Sequence, residues 1–559
     1  MHIAVIDWIV LIAYLALISV IGLVAGLRVK DTEHFFLGKR RFGKWLMVGQ
    51  TFGVGTHAEM PVSLAGAVYA VGLSGIWYQW KNLFATPFYW LIAPIFRRFR
   101  RTTTAEIMED RYGSFVGAVY AIFAICYLTI NTASMLKGAA KVIRQAIGGQ
   151  VPVNQIVLAM TVVFILYSFV GGLVASVWTD FFQGFLILAL SFMLVPLGWK
   201  TVGGIVGMKE GMEHYRLLLT TPRGIGPWMI FMLTVNGLVG IMAQPHMMAA
   251  VGTGKDEHTC RVGLMYGMFA KRLCTVGWAM VGLMVATMTA HGVFGTHALR
   301  DPEDAFGFAC RHLLFPGSLG LLIASVLAAN MSACSAFMVD SGALFTQTFY
   351  RKYLRAGRPD RHYLWVGRLS GLAITLMGVA YAVFLIQRVL NSFLLTETLA
   401  TFVGISVLGG IIWPRANRWG AISSIAAAMG TNFAAYALRG ERFDHWDPNV
   451  FFIALSAGIA ALIAVSLLTP AEAEAGKFAA RLQTPTDEPL PETETVSAPP
   501  FKSVAERGCQ LLVVNALAPL RAAYGLGLRR AYREDLAGFL IGWGVVALLV
   551  LFTWGIFCP

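Results

Sequence analysis

Long apolar runs divide most of the chain into segments long enough to cross a membrane. A spanning helix needs about 20 mostly apolar residues, and by that rule the sequence predicts fourteen spans. The predicted ranges are 6–27, 45–73, 74–97, 113–146, 152–173, 174–200, 227–253, 265–293, 315–347, 365–389, 391–412, 418–438, 451–468 and 535–557. This pattern predicts an all-α integral membrane protein.

Composition supports the same class of protein. The 559 residues are 57% hydrophobic and 13% charged, whereas soluble domains average about a quarter charged, which excludes a cytosolic enzyme. The net charge of +14 would suggest a nucleic-acid partner in a soluble chain. In a membrane chain it indicates basic cytoplasmic loops, and we adopt that interpretation, without a nucleic-acid partner.

The cysteine spacing and the residues after the first apolar run bear on two further features, a disulfide or zinc site and a signal peptide. The seven cysteines are scattered singly, which argues against a disulfide framework or a zinc site. No small-residue cleavage site follows the first apolar run, so we expect a retained helix and not a signal peptide.

Basic residues concentrate in four loops, and they predict the orientation. These loops are 28–44, 97–101, 350–364 and 415–418. With fourteen spans all four fall on one side, and the positive-inside rule makes that side cytoplasmic. Both termini are then extracytoplasmic, and the protein is expected in the plasma or inner membrane.

Near the C-terminus the composition changes. Residues 470–500 are rich in Pro, Glu and Thr, which predicts a disordered cytoplasmic linker. Residues 505–534 carry scattered arginines on an apolar stretch, as expected of an amphipathic helix lying on the membrane.

Polar residues at bilayer depth indicate functional positions, because a charged group there costs about 2.5–3.5 kcal/mol on insertion scales. In the second span, glycines, Thr56, His57, Glu59 and Pro61 interrupt the apolar run. They predict an unwound helix with free carbonyls, with a kinked, glycine-packed helix as the alternative. The isolated polar groups elsewhere are Lys81, Asp180, His246, Asp340 and Glu397. Lys81 and Glu397 have the alternative of structural ion pairing or snorkelling.

Several motifs together resemble the sodium:solute symporter family. In chain order they are Glu33-His34-Phe35-Phe36 with Gly38-Lys39-Arg40, Thr104-Ala105-Glu106 with Arg111-Tyr112-Gly113, Gly171-Gly172-Leu173 with Trp178-Thr179-Asp180 and Gln183-Gly184, Gln244-Pro245-His246, the hydroxyl run at 329–335, and Gly409-Gly410 with Trp413 through Gly420-Ala421. Gln-Pro-His is closest to the proline and pantothenate branch. The family commonly has an arginine at the position of Ala250, which weakens that assignment.

The resemblance implies a leucine-transporter-like core of five plus five helices in inverted repeats. The repeats would be 45–200 and 227–412, joined by an extracytoplasmic loop at 201–226. The first span and its loop would occupy 1–44, peripheral helices 413–469, the linker and amphipathic segment 470–534, and the final span 535–559. Solute and ion would bind at the two broken helices, 45–73 and 227–253.

The resemblance also implies two sets of site residues. The sodium-binding residues would be Gly53, Thr56, Ala329, Ser332, Ser335 and Asp180. The substrate-binding residues would be Glu59, Met60, Gln79, Lys81, Asn82, Asn236, Gln244, Glu397 and Thr401. The family usually has a second hydroxyl directly after the serine at position 332, and this chain has Ala333 there.

We therefore expect a secondary active transporter that carries a small organic solute with sodium by alternating access. A carboxylate or an amino acid is the candidate solute, because Lys81 would bind a carboxylate unless it pairs with Glu397 or Glu59. The expected partners are the bilayer, the solute and sodium, with protons as the alternative coupling ion and no organic cofactor. The first rival is a membrane sensor that signals through 470–534. An intramembrane enzyme is the second, and His57 and His246 leave a metal site open for it.

Overall fold

The computed structural model describes residues 4–26, 32–386, 388–441, 446–472, 475, 478 and 530–557. In these ranges the chain is helical, and the β pairing is one isolated bridge between Phe42 and Gly254. The predicted linker and most of the predicted amphipathic segment lie outside the described residues.

The first half of the chain forms the helices that carry the predicted first repeat. They are α1 Val5–Gly26, α2 Thr32–Leu37, α3 Lys44–Gly55, α4 Glu59–Val71, α5 Trp77–Trp80, α6 Tyr89–Phe99, α7 Thr104–Tyr112, α8 Ser114–Ala146, α9 Val153–Phe192, α10 Leu194–Val202 and α11 Gly204–Gly211.

The second half begins with another broken helix and ends with peripheral helices. They are α12 Pro227–Gly240, α13 Pro245–Gly252, α14 Glu257–Ala290, α15 Ala305–Leu313, α16 Ser318–Leu344, α17 Asp360–Phe384, α18 Val389–Ile412, α19 Arg418–Arg439, α20 Pro448–Leu468 and α21 Arg530–Phe557.

Within the described residues, nine helices are long and apolar enough to cross a membrane. The number becomes ten if the bent pair α12 and α13 counts as one span, and three shorter apolar helices add to these. The all-α membrane class is therefore confirmed, while the count of fourteen stays a prediction.

The break predicted in the second span is present between α3 and α4. Thr56 has an extended backbone, with φ −128° and ψ 102°, and its N–H bonds the carbonyl of Gly53, three residues back. Pro61 stands in the first turn of α4, where it has no N–H to bond the carbonyl of His57. The helix therefore ends at Gly55 and begins again at Glu59.

The predicted broken helix at 227–253 is also confirmed. α12 and α13 are bent by 62° relative to each other. Gln244 has an extended backbone, with φ −71° and ψ 116°, immediately before Pro245. Residues before proline avoid helical angles, so this bend follows from the local sequence.

Two predicted spans differ from the structure. The range 74–97 is interrupted between α5 and α6, where Pro87 cannot continue the hydrogen-bond ladder. The predicted boundary between 152–173 and 174–200 is wrong as a helix end, because α9 runs without interruption from Val153 to Phe192. No proline lies within α9, and the helix ends shortly before Pro196.

The four basic loops lie on one face of the bundle, as predicted. The hydroxyl of Thr32 donates to Asp360 at 2.7 Å, which joins the first loop to the third. Arg40 donates to the carbonyl of Arg100 at 2.7 Å. Arg111, beside the 97–101 loop, donates to the carbonyl of Ala416 at 2.7 Å. The direct contacts place these loops together whatever the number of spans.

Candidate functional site

Three predicted sodium-binding residues meet where α3, α9 and α16 come together. A β-carbon built on Gly53 would lie 2.8 Å from Oγ of Ser332 and 3.1 Å from Cβ of Asp180. Asp180 is fully buried and accepts a hydrogen bond from Ser176, with Oγ 3.3 Å from Oδ2. Only a residue without a side chain allows the backbone of α3 to approach these two groups.

The hydroxyl of Ser335 is fully buried without a hydrogen-bond partner, and the fully buried hydroxyl of Ser332 bonds no carbonyl of its own helix and lies beside Asp180. On the same helix, Ser325 donates to the carbonyl of Leu321 at 2.7 Å, and Ser341 donates to that of Met338 at 3.1 Å. Serines in a helix commonly satisfy themselves in this way. The oxygens of Ser335 and of Ser332, beside Asp180, are therefore available as ligands, and buried hydroxyls that do not bond their own helix require an explanation.

The other predicted ligands, Thr56 and Ala329, are three residues from Gly53 and Ser332, respectively. The hydroxyl of Thr56 is buried without a partner at the break of α3. Ala329 is fully buried one helical turn before Ser332. Ala333, which directly follows Ser332, is also fully buried. Hydroxyl and carboxylate oxygens with freed carbonyls are the donor set with which broken helices bind sodium, so the residues present fit a sodium ion.

A central cavity lies beside this cluster, between the two helix breaks. Its volume is about 30 Å³, which suffices for one or two water molecules. It is lined by Gly55, His57, Met60, Gln79, Asn82, Tyr89, Tyr127, Asn131, Ile241, Gln244, His246, Met247, Met268, Lys271, Arg272, Phe393 and Glu397. The cavity has to widen before it admits an organic solute.

Five of the nine predicted substrate residues line this cavity: Met60, Gln79, Asn82, Gln244 and Glu397. The other four do not. They are Glu59, Lys81, Asn236 and Thr401. Thr401 donates to the backbone carbonyl of Asn236 at 2.9 Å, so these two residues join α12 to α18 behind the cavity wall.

Glu397 is the centre of a buried hydrogen-bond network. It forms an ion pair with Lys81, accepts from Gln244 with both oxygens at 3.0 Å, and accepts from the Tyr127 hydroxyl at 3.3 Å. The charge of Lys81 is thus engaged by the protein. The structural alternative for Lys81 describes its contacts better than direct binding of a solute carboxylate.

His57 and Glu59 form a second pair at the break of α3. Nδ1 of His57 lies 2.9 Å from the carboxylate of Glu59, and its Nε2 lies 2.7 Å from the carbonyl of Val54. Both contacts involve acceptors, so either the imidazole carries two protons or Glu59 is protonated and donates. In both cases this pair holds one proton more than a neutral histidine beside a carboxylate.

Sequence reasoning missed two cations that line the cavity. Lys271 and Arg272 are buried near the middle of α14. The predicted span 265–293 already placed both charges at bilayer depth, so the argument applied to Lys81 would have found them. Tyr89, Tyr127 and Asn131 carried no comparable signal, because polar aromatic and amide residues are common in spanning helices.

The histidines do not form a metal site in the part of the chain that the structure describes. His57 and His246 each pack against the Phe337 ring, with centroid separations of 5.6 and 5.1 Å. The described residues include no group of three His, Cys, Asp or Glu side chains arranged to hold a metal ion.

Comparison with known proteins identifies the family of this chain. Residues 35–427 match the model of the sodium:solute symporter family. The osmoregulated proline transporter OpuE of Bacillus subtilis is 26% identical over 432 residues, which cover 75% of this chain and 86% of that protein. A sodium/proline symporter of Haemophilus influenzae is 25% identical over 435 residues, covering 74% and 85% of the two chains.

A solved structure shares the architecture. The substrate-bound, outward-open structure of a Na+-coupled sialic acid symporter superimposes with a TM-score of 0.71 at 17% identity, covering 84% of this chain and 99% of that one. The expected inverted-repeat fold class is thereby confirmed.

The helical fold with its two broken helices and the family match together define a multi-pass membrane transporter of the secondary active class. The chain belongs to the sodium:solute symporter family. That family consists of transporters, and its membership supports sodium-coupled symport of a small solute as the activity of this chain.

Proposed function

We propose that this chain carries a small organic anion or amino acid into the cell together with sodium, with the ion bound among Gly53, Thr56, Asp180, Ala329, Ser332 and Ser335. The observation that carries the proposal is the pair of fully buried hydroxyls of Ser332 and Ser335, neither of which bonds a carbonyl of its own helix, with Ser332 beside Asp180. Together with Asp180 they supply oxygen ligands that α16 does not use for its own hydrogen bonds.

Sodium bound there would connect α3 to α9 and α16. The first of these helices also forms one wall of the central cavity through Gly55. Occupation of the ion site therefore fixes one side of the solute site, which is how binding of the ion favours binding of the solute. The two sites then open together to the opposite face as the repeats rock about them.

The driving force follows from the charge moved. One charge that crosses 100 mV releases about 2.3 kcal/mol. Because about 1.4 kcal/mol corresponds to a factor of ten, each sodium supports a solute gradient of roughly 50-fold.

The face with the four basic loops is proposed to be cytoplasmic, by the positive-inside rule. Arg261, in the first turns of α14, pairs with Asp535 near the start of α21. Helix α21 thus begins near that face, which favours extracytoplasmic termini in a plasma or inner membrane.

Transport by purified protein in proteoliposomes tests the proposal. Counterflow of labelled carboxylates and amino acids is measured against sodium concentration for the wild type, Ser332→Ala and Asp180→Asn. Ser325→Ala is the matched control, because its hydroxyl is already bonded within α16. We expect sodium-dependent exchange, with the half-saturating sodium concentration raised about tenfold or more in the two site variants and unchanged in the control.

Exchange that is independent of sodium, or equal effects of Ser332→Ala and Ser325→Ala, would contradict the proposed ion site. Binding of a solute without any exchange would favour the sensor.

A further inference from the structure

Lys271 is a buried lysine whose side chain has no ion-pair or hydrogen-bond partner in the described part of the chain. Its exposed fraction is 7%, and it lies near the middle of the 34-residue helix α14, lining the central cavity. The side chain forms no ion pair or hydrogen bond with the residues that the structure describes. A charge at this depth is costly unless it is paired.

Arg272 adds a second charge at the same wall. Its exposed fraction is 1%. Its Nη1 donates to the backbone carbonyl of Gln79 at 2.9 Å, and the guanidinium also interacts with the Tyr89 hydroxyl. A carbonyl partner does not neutralise the guanidinium, so its positive charge persists in the cavity wall.

The acids near the cavity are already engaged. Glu397 is paired with Lys81 and accepts from Gln244 and Tyr127. Glu59 is paired with His57 through one oxygen, and it does not line the cavity. The charges within each of these two pairs cancel, so the Arg272 guanidinium leaves one uncompensated positive charge among the described residues of the wall. Lys271 adds a second positive charge when a bound anion stabilises its protonated form.

The unused hydrogen-bonding groups in the wall are mostly donors. Nε2 of Gln79 has no partner, and the Arg272 guanidinium has more donors than the Gln79 carbonyl and the Tyr89 hydroxyl take up. The wall also contains the unpartnered acceptor Oδ1 of Asn82 and the unpartnered Nδ1 of His246, which donates or accepts according to its tautomer. A carboxylate brings oxygens that accept several hydrogen bonds and a charge that neutralises a cation, so it matches this arrangement.

We propose that Lys271 and Arg272 bind the carboxylate of an anionic solute that has no ammonium group, such as a simple mono- or dicarboxylate. The inference rests on the proposed symport function and names its substrate class. A zwitterion such as proline would place its ammonium among cations, because the acids of this wall are occupied. The solute therefore differs in charge from the one named for the curated relatives.

The test uses the full chain in proteoliposomes with labelled acetate, lactate, succinate and proline as probes. Sodium-driven counterflow is measured for the wild type, Lys271→Gln, Lys271→Arg and Arg272→Gln. Lys255→Gln is the matched control, since this exposed lysine immediately precedes α14 and lies outside the cavity. A sodium-induced rise in melting temperature is recorded for each variant as a readout that does not depend on the solute.

We expect the wild type to exchange one or more carboxylates in preference to proline. Lys271→Gln and Arg272→Gln should weaken the apparent affinity at least tenfold while the sodium-induced shift is retained, and Lys271→Arg should recover part of the affinity. Preference of the wild type for proline, or unchanged affinity in Lys271→Gln, would overturn the inference and leave sodium symport intact. Absence of sodium-dependent exchange for every probe would instead overturn the proposed function.

Discussion

Lys81 and Glu397 form a buried ion pair between the turn after α5 and helix α18, although 316 residues separate them in the chain. The side chains are 1% and 7% exposed. The pair joins the first repeat to the second beside the central cavity. Since Lys81 does not line that cavity, its role is to fix Glu397 rather than to contact the solute.

Removal of one partner should therefore cost more than removal of both. Lys81→Met leaves the carboxylate of Glu397 buried without its cation, and such a loss costs about 3–5 kcal/mol. The double variant Lys81→Met with Glu397→Leu leaves no isolated charge and should recover at least half of the lost stability. Melting of the purified variants in detergent measures the difference. Strictly additive losses would show that the two residues do not act as a pair.

Gly53 should tolerate no side chain. In Gly53→Ala the added methyl would lie 2.8 Å from Oγ of Ser332, at the position proposed for the ion. Overpacking of this kind costs about 1–3 kcal/mol, so the half-saturating sodium concentration should rise roughly tenfold or more.

Gly430→Ala is the control for that change, because a β-carbon on Gly430 in α19 would meet nothing within 4 Å. Sodium titration of uptake compares the two variants. An unaltered sodium response in Gly53→Ala would place the ion elsewhere.

The extra proton of the His57–Glu59 pair distinguishes sodium from proton coupling. In Glu59→Gln the amide donates to Nδ1, so a neutral His57 satisfies both of its contacts without the extra proton. We expect sodium-driven uptake by this variant to stay within about threefold of the wild type, because neither residue belongs to the proposed ion site. Uptake is driven separately by a sodium gradient and by a proton gradient. If a proton gradient alone drives the wild type and Glu59→Gln abolishes that uptake, the proton is the coupling ion.

The sequence was most informative where structure depends on local chemistry. Apolar runs predict helices, and Pro61 and Pro245 lie just after the two breaks that they help to cause. The interruption before Pro87 follows the same chemistry, yet the hydropathy of 74–97 concealed it. The short helices α7 and α15 were not predicted either, because their mixed composition resembles that of loops.

Contacts between residues far apart in the chain were harder to predict from the sequence. The meeting of Gly53, Asp180 and Ser332 was expected from the family resemblance alone, since spacing within one helix carries no information about a neighbouring helix. The sequence left two acids, Glu59 and Glu397, as candidate partners of Lys81. The choice between them required the three-dimensional structure. Lys271 and Arg272 carried a readable signal, two adjacent charges inside an apolar run, and their omission was an error of reasoning.

The small volume of the central cavity also bears on the electrical integrity of the membrane. Space for one or two water molecules cannot hold a continuous file of water across the bilayer. A water-filled path through the polar centre of the protein would let ions leak across the membrane and dissipate the voltage that drives transport. In this conformation the central cavity offers ions no aqueous path across the membrane, so at this place charge can cross only together with a transported ion.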